Sequence, residues 1–365
     1  MRRADIAIIG AGMAGASLAA ELAGQADIVL VEGEAQPGYH ATGRSAAFWS
    51  ETYGGPAVQP LTSASGRWLA DRGFLAPRGE LHIADAAGRA ALDAFAAEFG
   101  AGTVALHPLD RAALEAKLPG LAPGWDHGIE EPSCRDIDVA ALHAFYLAAA
   151  RRGGVALLCD APVRAIRRAT GGWRLETGAG PIDAVTIVNA AGAWAGEVAR
   201  LAGALPIAIA PYRRTIVQIA VDPPVAADRP LVIDIAGNFY FKPEAGGRLW
   251  LSPHDETATA PCDAAAEEID VATAIDRFEH VVDWRVARRE RAWAGLRSFV
   301  PDRAPVYGLD PVAPGFFWFA GQGGFGIQTA PAAAMLGAAL LLGRAPPDMV
   351  RAIDPGRYAP GRFTP

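Results

Sequence analysis

Cysteine is scarce in this 365-residue chain: Cys134, Cys159 and Cys262 are the whole set, and no two are close in sequence. An odd, scattered set argues against a disulfide framework and against a thiolate-held zinc or iron–sulfur cluster. It suits a reducing compartment, and a cytoplasmic location is expected. Long apolar runs are also lacking. The longest, residues 330–342, falls short of the roughly 20 residues a bilayer span needs. No apolar leader precedes the first strand-like segment, so no transmembrane segment is expected, and peripheral attachment to a membrane is the alternative. Basic charge is not in excess: the net charge is −7, which argues against a nucleic-acid partner. His82, His107, His127, His143, His254 and His280 show no triad or metal-ligand spacing. They read as structural or surface groups, and no metal site is expected.

The chain is rich in apolar residues, 51% against 20% charged. That composition describes a globular protein with a large core, organised as two domains or one large one. Its first thirty residues carry the sharpest pattern. Asp5-Ile6-Ala7-Ile8-Ile9 runs into Gly10-Ala11-Gly12-Met13-Ala14-Gly15, then a stretch of helix formers, then Asp27 to Val31 and Glu32. This is strand, glycine turn, helix, strand and acid, the context in which a GxGxxG motif binds a dinucleotide. Gly10 permits the turn, Gly12 lets the backbone approach a pyrophosphate, and Gly15 lets the helix pack on the strand. The helix N-terminus favours the phosphates, and Glu32 is placed to accept from a ribose hydroxyl. The motif alone does not choose between FAD and a nicotinamide dinucleotide.

Further along, Arg44-Ser45-Ala46-Ala47 follows a Pro/Gly loop and is expected to open a helix. Residues 86–118 read as helical. Asp138 caps a helix to Arg152, and strands flank Gly171-Gly172. A strand over Val185–Asn189 meets Ala190-Ala191-Gly192-Ala193-Trp194, small residues that admit a cofactor or another backbone. From Pro206 to about Arg291 strands follow one another without intervening helices, which predicts an antiparallel sheet. The final block has a strand, Gly315–Ala320, a second glycine loop, Gly321-Gln322-Gly323-Gly324-Phe325-Gly326-Ile327-Gln328, and a helix from Ala332. A glycine loop feeding a helix suits anions, and a reduced flavin ring needs such support where a nicotinamide does not.

In that order, the first glycine turn with Glu32, Gly43–Ala47, Asn189–Trp194, Gly295-Leu296-Arg297-Ser298-Phe299 and Gly321–Gln328 resemble the D-amino-acid oxidase superfamily of FAD-dependent amine oxidoreductases. The likeness runs almost the full length and is most similar to the D-arginine dehydrogenases within it. It implies an α/β fold: a Rossmann-like FAD-binding domain (residues 1–50, 132–205 and 292–365) interleaved with an antiparallel-sheet substrate domain (51–131 and 206–291). It also implies non-covalent FAD, since no cysteine follows Cys262 to form the linkage some relatives use. FAD contacts are expected at Gly10, Gly12, Met13, Ala14, Gly15 and Glu32. Thr42, Arg44, Ser45, Ala46, Ala47 and Val163 follow, then Ala191, Gly192, Trp194 and Gly295. The second loop adds Gly321, Gly323, Gly324, Phe325, Gly326, Ile327 and Gln328.

On the same resemblance, Arg297 and either Arg214 or Arg213 hold a substrate carboxylate, which an arginine fork suits better than a lysine. Tyr53 and Tyr240 line the site, and Gly324 adjoins the substrate. Glu80 falls where the D-arginine dehydrogenases have an acid for a cationic side chain. Phe48 stands where they have a histidine, a departure that removes a proton acceptor beside the substrate. The expected activity is oxidative deamination of D-amino acids, basic ones among them. The partners are the amino acid and an electron acceptor, quinone or oxygen. The alternatives are oxidation of glycine, sarcosine, another secondary amine or a 2-hydroxy acid, and a non-catalytic flavoprotein subunit.

Overall fold

The computed structural model describes residues 2–100, 102 and 104–364. Its first sheet has eight strands. The parallel set is Arg2–Ile9, Ile28–Val31, Ala156–Leu158, Gly180–Asn189 and Phe316–Ala320. Val163–Ala169 and Gly172–Thr177 extend it as an antiparallel hairpin, and Val306–Leu309 pairs antiparallel with Phe316–Ala320. Alternation along these strands builds two cores. Ile6, Ile8, Leu30, Val188, Phe317 and Phe319 face the helices Met13–Leu22 and Ala330–Leu341. Ala7, Ile9, Val29, Val31, Ile187 and Trp318 face the helix Ala195–Ala202. A sheet buried on both faces explains why its strands read as unbroken apolar runs. Each fully buried Ile, Leu, Val or Phe contributes about 1.5–3 kcal/mol.

The second sheet has nine strands and one covered face: Leu81, Ile83, Val217, Ile219, Phe241 and Leu249 pack on Val271, Ala274 and Phe278 of the helix Glu268–Glu279. Its longest pairing joins Ala210–Asp222 to Arg285–Phe299, antiparallel. The pairing of Glu80–Ala84 with Leu231–Asp234 is parallel, so the expectation of a purely antiparallel sheet holds for the neighbours of that pair but not for the pair itself. The strand Arg285–Phe299 lies whole in this sheet, across the division expected at residue 292. Phe48–Trp49, Leu75–Pro77 and Arg135–Ile137 form a small third sheet that crosses the divisions expected near residues 50 and 131.

Two local expectations are corrected. Residues 86–118 form two helices, Arg89–Phe99 and Arg111–Lys117, separated by the strand His107–Asp110. Asp110 caps the second of them, accepting from the Ala113 amide at 2.9 Å. Arg44–Ala47 opens no helix. A 3₁₀ turn, Ala41–Arg44, ends there, and the Ser45 hydroxyl accepts from the Ala47 amide at 3.0 Å, with Ala47 at φ 60°. A serine that binds its own backbone competes with helix formation. Asp138 caps the helix Val139–Arg152 as its sequence indicates.

Candidate active site

A cavity of about 540 Å³ lies at the carboxyl ends of the parallel strands, where an open α/β sheet binds its ligand. It runs from Val163, Trp194 and Glu197 to Tyr53, Arg214 and Tyr240 on the second sheet.

The dinucleotide end is made by backbone. Gly10 adopts φ 99°, and a Cβ there would lie 2.5 Å from the Ala190 carbonyl. A Cβ at Gly15 would meet the Gly10 carbonyl at 1.8 Å, so helix and turn touch through missing side chains. Gly15 therefore packs behind the wall, whereas Gly10, Gly12, Met13 and Ala14 line it. The helix Met13–Leu22 has Gly12 at its N-cap, with no side chain of its own to cap it. Glu32 accepts from the Ala11 amide at 2.9 Å and the Glu34 amide at 3.0 Å, and still faces the cavity. Carboxylate oxygens with lone pairs to spare can take a ribose hydroxyl as well. His143, which sequence spacing passes over, braces this turn through Nε2 and the Ala11 carbonyl at 2.9 Å; burial lowers its pKa.

In the middle, Thr42, Arg44, Ser45, Ala46, Ala47, Val163, Ala191, Gly192, Trp194 and Gly295 all line the wall. The Thr42 hydroxyl accepts from the Met13 amide at 2.9 Å. The Arg44 guanidinium is committed to protein: it donates to the carbonyls of Ala264 (2.7 Å) and Ala294 (3.1 Å) and pairs with Asp263. Cys262 also sits on this wall. From the second glycine loop, Gly323, Gly324, Gly326 and Ile327 line the cavity, and Gly321, Phe325 and Gln328 do not. Gly321 closes the end of a strand beside Val300. Phe325 packs edge-on against Tyr53, ring centroids 5.2 Å apart. Gln328 turns its amide to the Tyr53 carbonyl and the Thr62 hydroxyl, both at 2.9 Å.

The far end is made by side chains. Strand alternation separates the neighbouring arginines. Arg214 shares a face with Ile216 and lines the cavity. Arg213 points to the opposite face, where it pairs with Glu267 and with Asp270 at 2.8 Å on the covering helix. Arg297, two strand positions from the Arg214 pairing, donates to the Tyr53 hydroxyl at 2.8 Å. Its guanidinium lies 5.5 Å from the Tyr53 ring centre and 5.4 Å from that of Phe325. A Cβ on Gly324 would sit 1.6 Å from Arg297 Nη2, so only glycine lets the loop lie on this guanidinium. Arg214 Nε donates to the Asp255 carbonyl at 2.8 Å, while its buried Nη1 has no acceptor among the described residues. Burial and the nearby Arg214 lower the pKa of Arg297. Two desolvated cations with an unspent donor favour an anion between them. Glu256, exposed enough to move, stands near both: its Oε1 is 3.4 Å from Arg214, 3.7 Å from Arg297 and 2.7 Å from Arg303.

Aromatic rings close the pocket. Phe48 lies 4.8 Å from Tyr53 and 6.1 Å from Tyr240, centre to centre. Burial and the neighbouring Tyr53 push the Tyr240 phenol up to about 12. His254 packs edge-on to Tyr240 at 5.7 Å and donates through Nδ1 to the Gly237 carbonyl at 2.8 Å. Burial, together with Arg214 and Arg297, drives its pKa down to about 3. Tyr240–Glu244 and Arg248–Ser252 form a hairpin in which Tyr240 pairs with Ser252, and His254 follows two residues later, a placement that triad or metal-ligand spacing does not look for.

Glu80 is a correction. Its carboxylate is fully buried, lies 2.6 Å from His82 Nε2, and faces Glu131 across the strand pair. It does not line the cavity. Glu80, His82 and Glu131 bring possible ligand atoms within 4.8 Å of one another, a grouping that spacing does not reveal because Glu131 comes from another strand. Among the described residues no helix is long and apolar enough to cross a membrane.

The model of the family described as "FAD dependent oxidoreductase" (DAO) matches residues 5–340. Mitochondrial dimethylglycine dehydrogenase of Rattus norvegicus is 28% identical over 408 aligned positions, covering 99% of this chain and 45% of that one. The chain thus spans less than half the length of that relative. Glycine oxidase of Pseudomonas aeruginosa is 29% identical over 189 residues, covering 51% of this chain and 48% of that one. Among solved structures, glycine oxidase from Geobacillus kaustophilus superposes with a TM-score of 0.85 at 23% identity, covering 100% of both chains. L-Proline dehydrogenase from P. horikoshii gives 0.83 at 20%, covering 98% of each. These relatives do not single out the D-arginine dehydrogenase likeness. The glycine turn with Glu32, the continuous cavity and the family match converge: this chain belongs to the FAD dependent oxidoreductase family, and FAD is its cofactor.

Proposed function

We propose that the protein oxidises the Cα–N bond of a small amino acid with an uncharged side chain, glycine and its N-methyl derivatives or a D-amino acid. The observation that carries this reading is the pairing of Arg214 and Arg297 over Tyr53 and Tyr240, with Phe48 and no acid at the side-chain end. The names of the dimethylglycine dehydrogenases and glycine oxidases among its relatives support the same class. The basic substrates expected from Glu80 are not part of it, because that carboxylate is turned into the protein.

The first sheet with its helices serves as the cofactor domain and the second as the substrate domain. Arg297 and Arg214 hold the carboxylate, and Gly324 leaves room for Arg297 to do so. The Tyr53 hydroxyl fixes the Arg297 fork. Tyr240 stays a neutral phenol and His254 a neutral imidazole across the working pH range. With Tyr240 and His254 both neutral and neither titrating near neutrality, the substrate nitrogen gives its proton to water before oxidation. Phe48, Tyr53 and Tyr240 exclude water from Cα. FAD, held without a covalent bond by the turn at Gly10, Gly12, Met13 and Ala14 and by Glu32, would supply the acceptor for the hydride that leaves Cα. The imine that results takes up water to give the oxo acid and ammonia or the free amine.

Anaerobic mixing of the yellow holoenzyme with glycine, sarcosine, N,N-dimethylglycine, D-alanine, D-arginine, D-lysine and a 2-hydroxy acid tests this. Bleaching by members of the small neutral group, and slower or no bleaching by the basic pair, is expected. Preferential bleaching by D-arginine overturns the neutral-substrate reading, and bleaching only by the hydroxy acid overturns amine oxidation.

A further inference from the structure

We infer that Glu131, outside the cavity and on another strand, is a positioning residue for Tyr53 and, through it, for Arg297. The inference rests on the carboxylate role given to Arg297 above. Tyr53 is carried by an irregular stretch, residues 50–53, between the small third sheet and the helix Gln59–Asp71. Such a stretch has no ladder of its own to hold it. Its rigidity comes from two buried side chains on either side.

Glu131 supplies one side. Its Oε1 accepts from the Glu51 amide at 2.7 Å and the Ser133 hydroxyl at 3.0 Å. Its Oε2 accepts from the Thr52 hydroxyl at 2.6 Å and the Ser50 hydroxyl at 3.3 Å. The Ser50 oxygen in turn accepts from the Tyr53 amide at 3.3 Å. Gln328 supplies the other side, donating to the Tyr53 carbonyl at 2.9 Å and accepting from the Ser50 amide at 3.3 Å. The backbone of Tyr53 is therefore tied at its N–H through Ser50 to Glu131, and at its C=O to Gln328. The other end of the residue, its hydroxyl, is 2.8 Å from Arg297 Nη2. Displacement of the backbone moves that hydroxyl, and with it the Arg297 fork that holds the carboxylate.

The donor set calls for a carboxylate. Four donors converge on two oxygens, and one of them, the Glu51 amide, cannot turn round. An amide at 131 would place its NH₂ against that N–H, or against two hydroxyls of which Ser50 already accepts from Tyr53. Glu80 and His82 lie beside this arrangement as a separate close pair.

The test is a double-mutant cycle on the FAD-loaded enzyme, with propionate as a carboxylate that has no amine to oxidise. Its dissociation constant is read from the change in flavin absorbance. Glu131→Gln should weaken propionate by about 10-fold in the native background and by less than about 2-fold in the Tyr53→Phe background, because coupled residues are non-additive. With the best amino acid from the panel, KM should rise by a similar factor while kcat changes by less than about 3-fold. Ser50→Ala, which removes the hydroxyl that joins the Tyr53 amide to Glu131 and leaves the carboxylate its other three donors, should show the same dependence on Tyr53 with a loss of about 3-fold, and it serves where Glu131→Gln does not fold. Equal losses in both backgrounds, or none, overturn the positioning role alone. Failure of the wild type to bind any carboxylate overturns the clamp and this inference together.

Discussion

The two ends of the cavity are built differently. At the dinucleotide end the turn comes from one continuous run, residues 10–15, with Glu32 beside it, and the determining feature is the absence of side chains at Gly10 and Gly12 on the wall and at Gly15 behind it. At the substrate end four side chains, Tyr53, Arg214, Tyr240 and Arg297, arrive from separate strands and a loop, and their geometry depends on what holds each from behind. The first end is a property of local backbone conformation. The second is a property of sheet register and buried polar contacts. The two ends should therefore break in different ways.

The largest effect belongs to the backbone end. Gly15→Ala places a Cβ 1.8 Å from the Gly10 carbonyl, so the helix must move away from the turn. The purified variant should be colourless or nearly so, with flavin content, measured by release and absorbance, under about a tenth of the wild-type value. A yellow variant of normal occupancy would show that the turn tolerates displacement.

Next comes the clamp. Arg297→Ala should leave FAD bound and lose at least about 2 kcal/mol of transition-state binding, a fall in kcat/KM of roughly 30-fold or more. Arg297→Lys should recover little, since the fork is lost. Steady-state kinetics on the best substrate decide the point, and unchanged efficiency would remove Arg297 from the site.

Arg213 and Arg214 sharpen the comparison within a single strand. Arg214→Ala should lower efficiency by roughly 10-fold or more with little change in unfolding midpoint. Arg213→Ala should do the reverse: it breaks ion pairs to Glu267 and Asp270 and should cost about 1–2 kcal/mol in a denaturant titration, with efficiency nearly intact. The opposite pattern would mean that the strand face is misassigned.

These contrasts show what was legible in the sequence. The glycine turn, Glu32 and the paired α/β strands could be read because a short window contains the whole device. The arginine pair could be read only as an either-or, because facing is decided by register and residues 213 and 214 differ by one strand position. Sheet alternation resolves it. Glu80 was misread: its position beside the strand pair is a matter of sequence, but the direction of its carboxylate depends on His82 and Glu131, the latter some fifty residues away. Glu131 left no trace in spacing for the same reason, whereas His254 is brought to Tyr240 by a local hairpin and shows no ligand or triad spacing. Gln328 and Phe325 belong to a loop whose composition signals a cofactor, yet both turn toward Tyr53.

The smallest effect concerns pH. His254, held down to about 3 by burial and the two arginines, is neutral above roughly pH 5, and Tyr240, pushed up to about 12, stays protonated below roughly pH 10. Neither titrates between. The acid limb of kcat/KM should therefore follow the substrate's own amine and shift when the substrate's amine pKa shifts. A fixed limb near 6.5 for every substrate, the ordinary imidazole value, would make a histidine the base.

The central claim is that the substrate end recognises a carboxylate beside an oxidisable C–N bond. Its most direct test compares each amino acid with the amine that lacks the carboxylate: glycine with methylamine, D-alanine with ethylamine. The readout is the anaerobic rate of flavin bleaching in the wild type and in Arg297→Ala. The account predicts bleaching by the amino acid, at least about 100-fold slower bleaching by the amine, and a variant whose preference for the amino acid shrinks by roughly 30-fold or more. Equal rates for amine and amino acid in the wild type would contradict it.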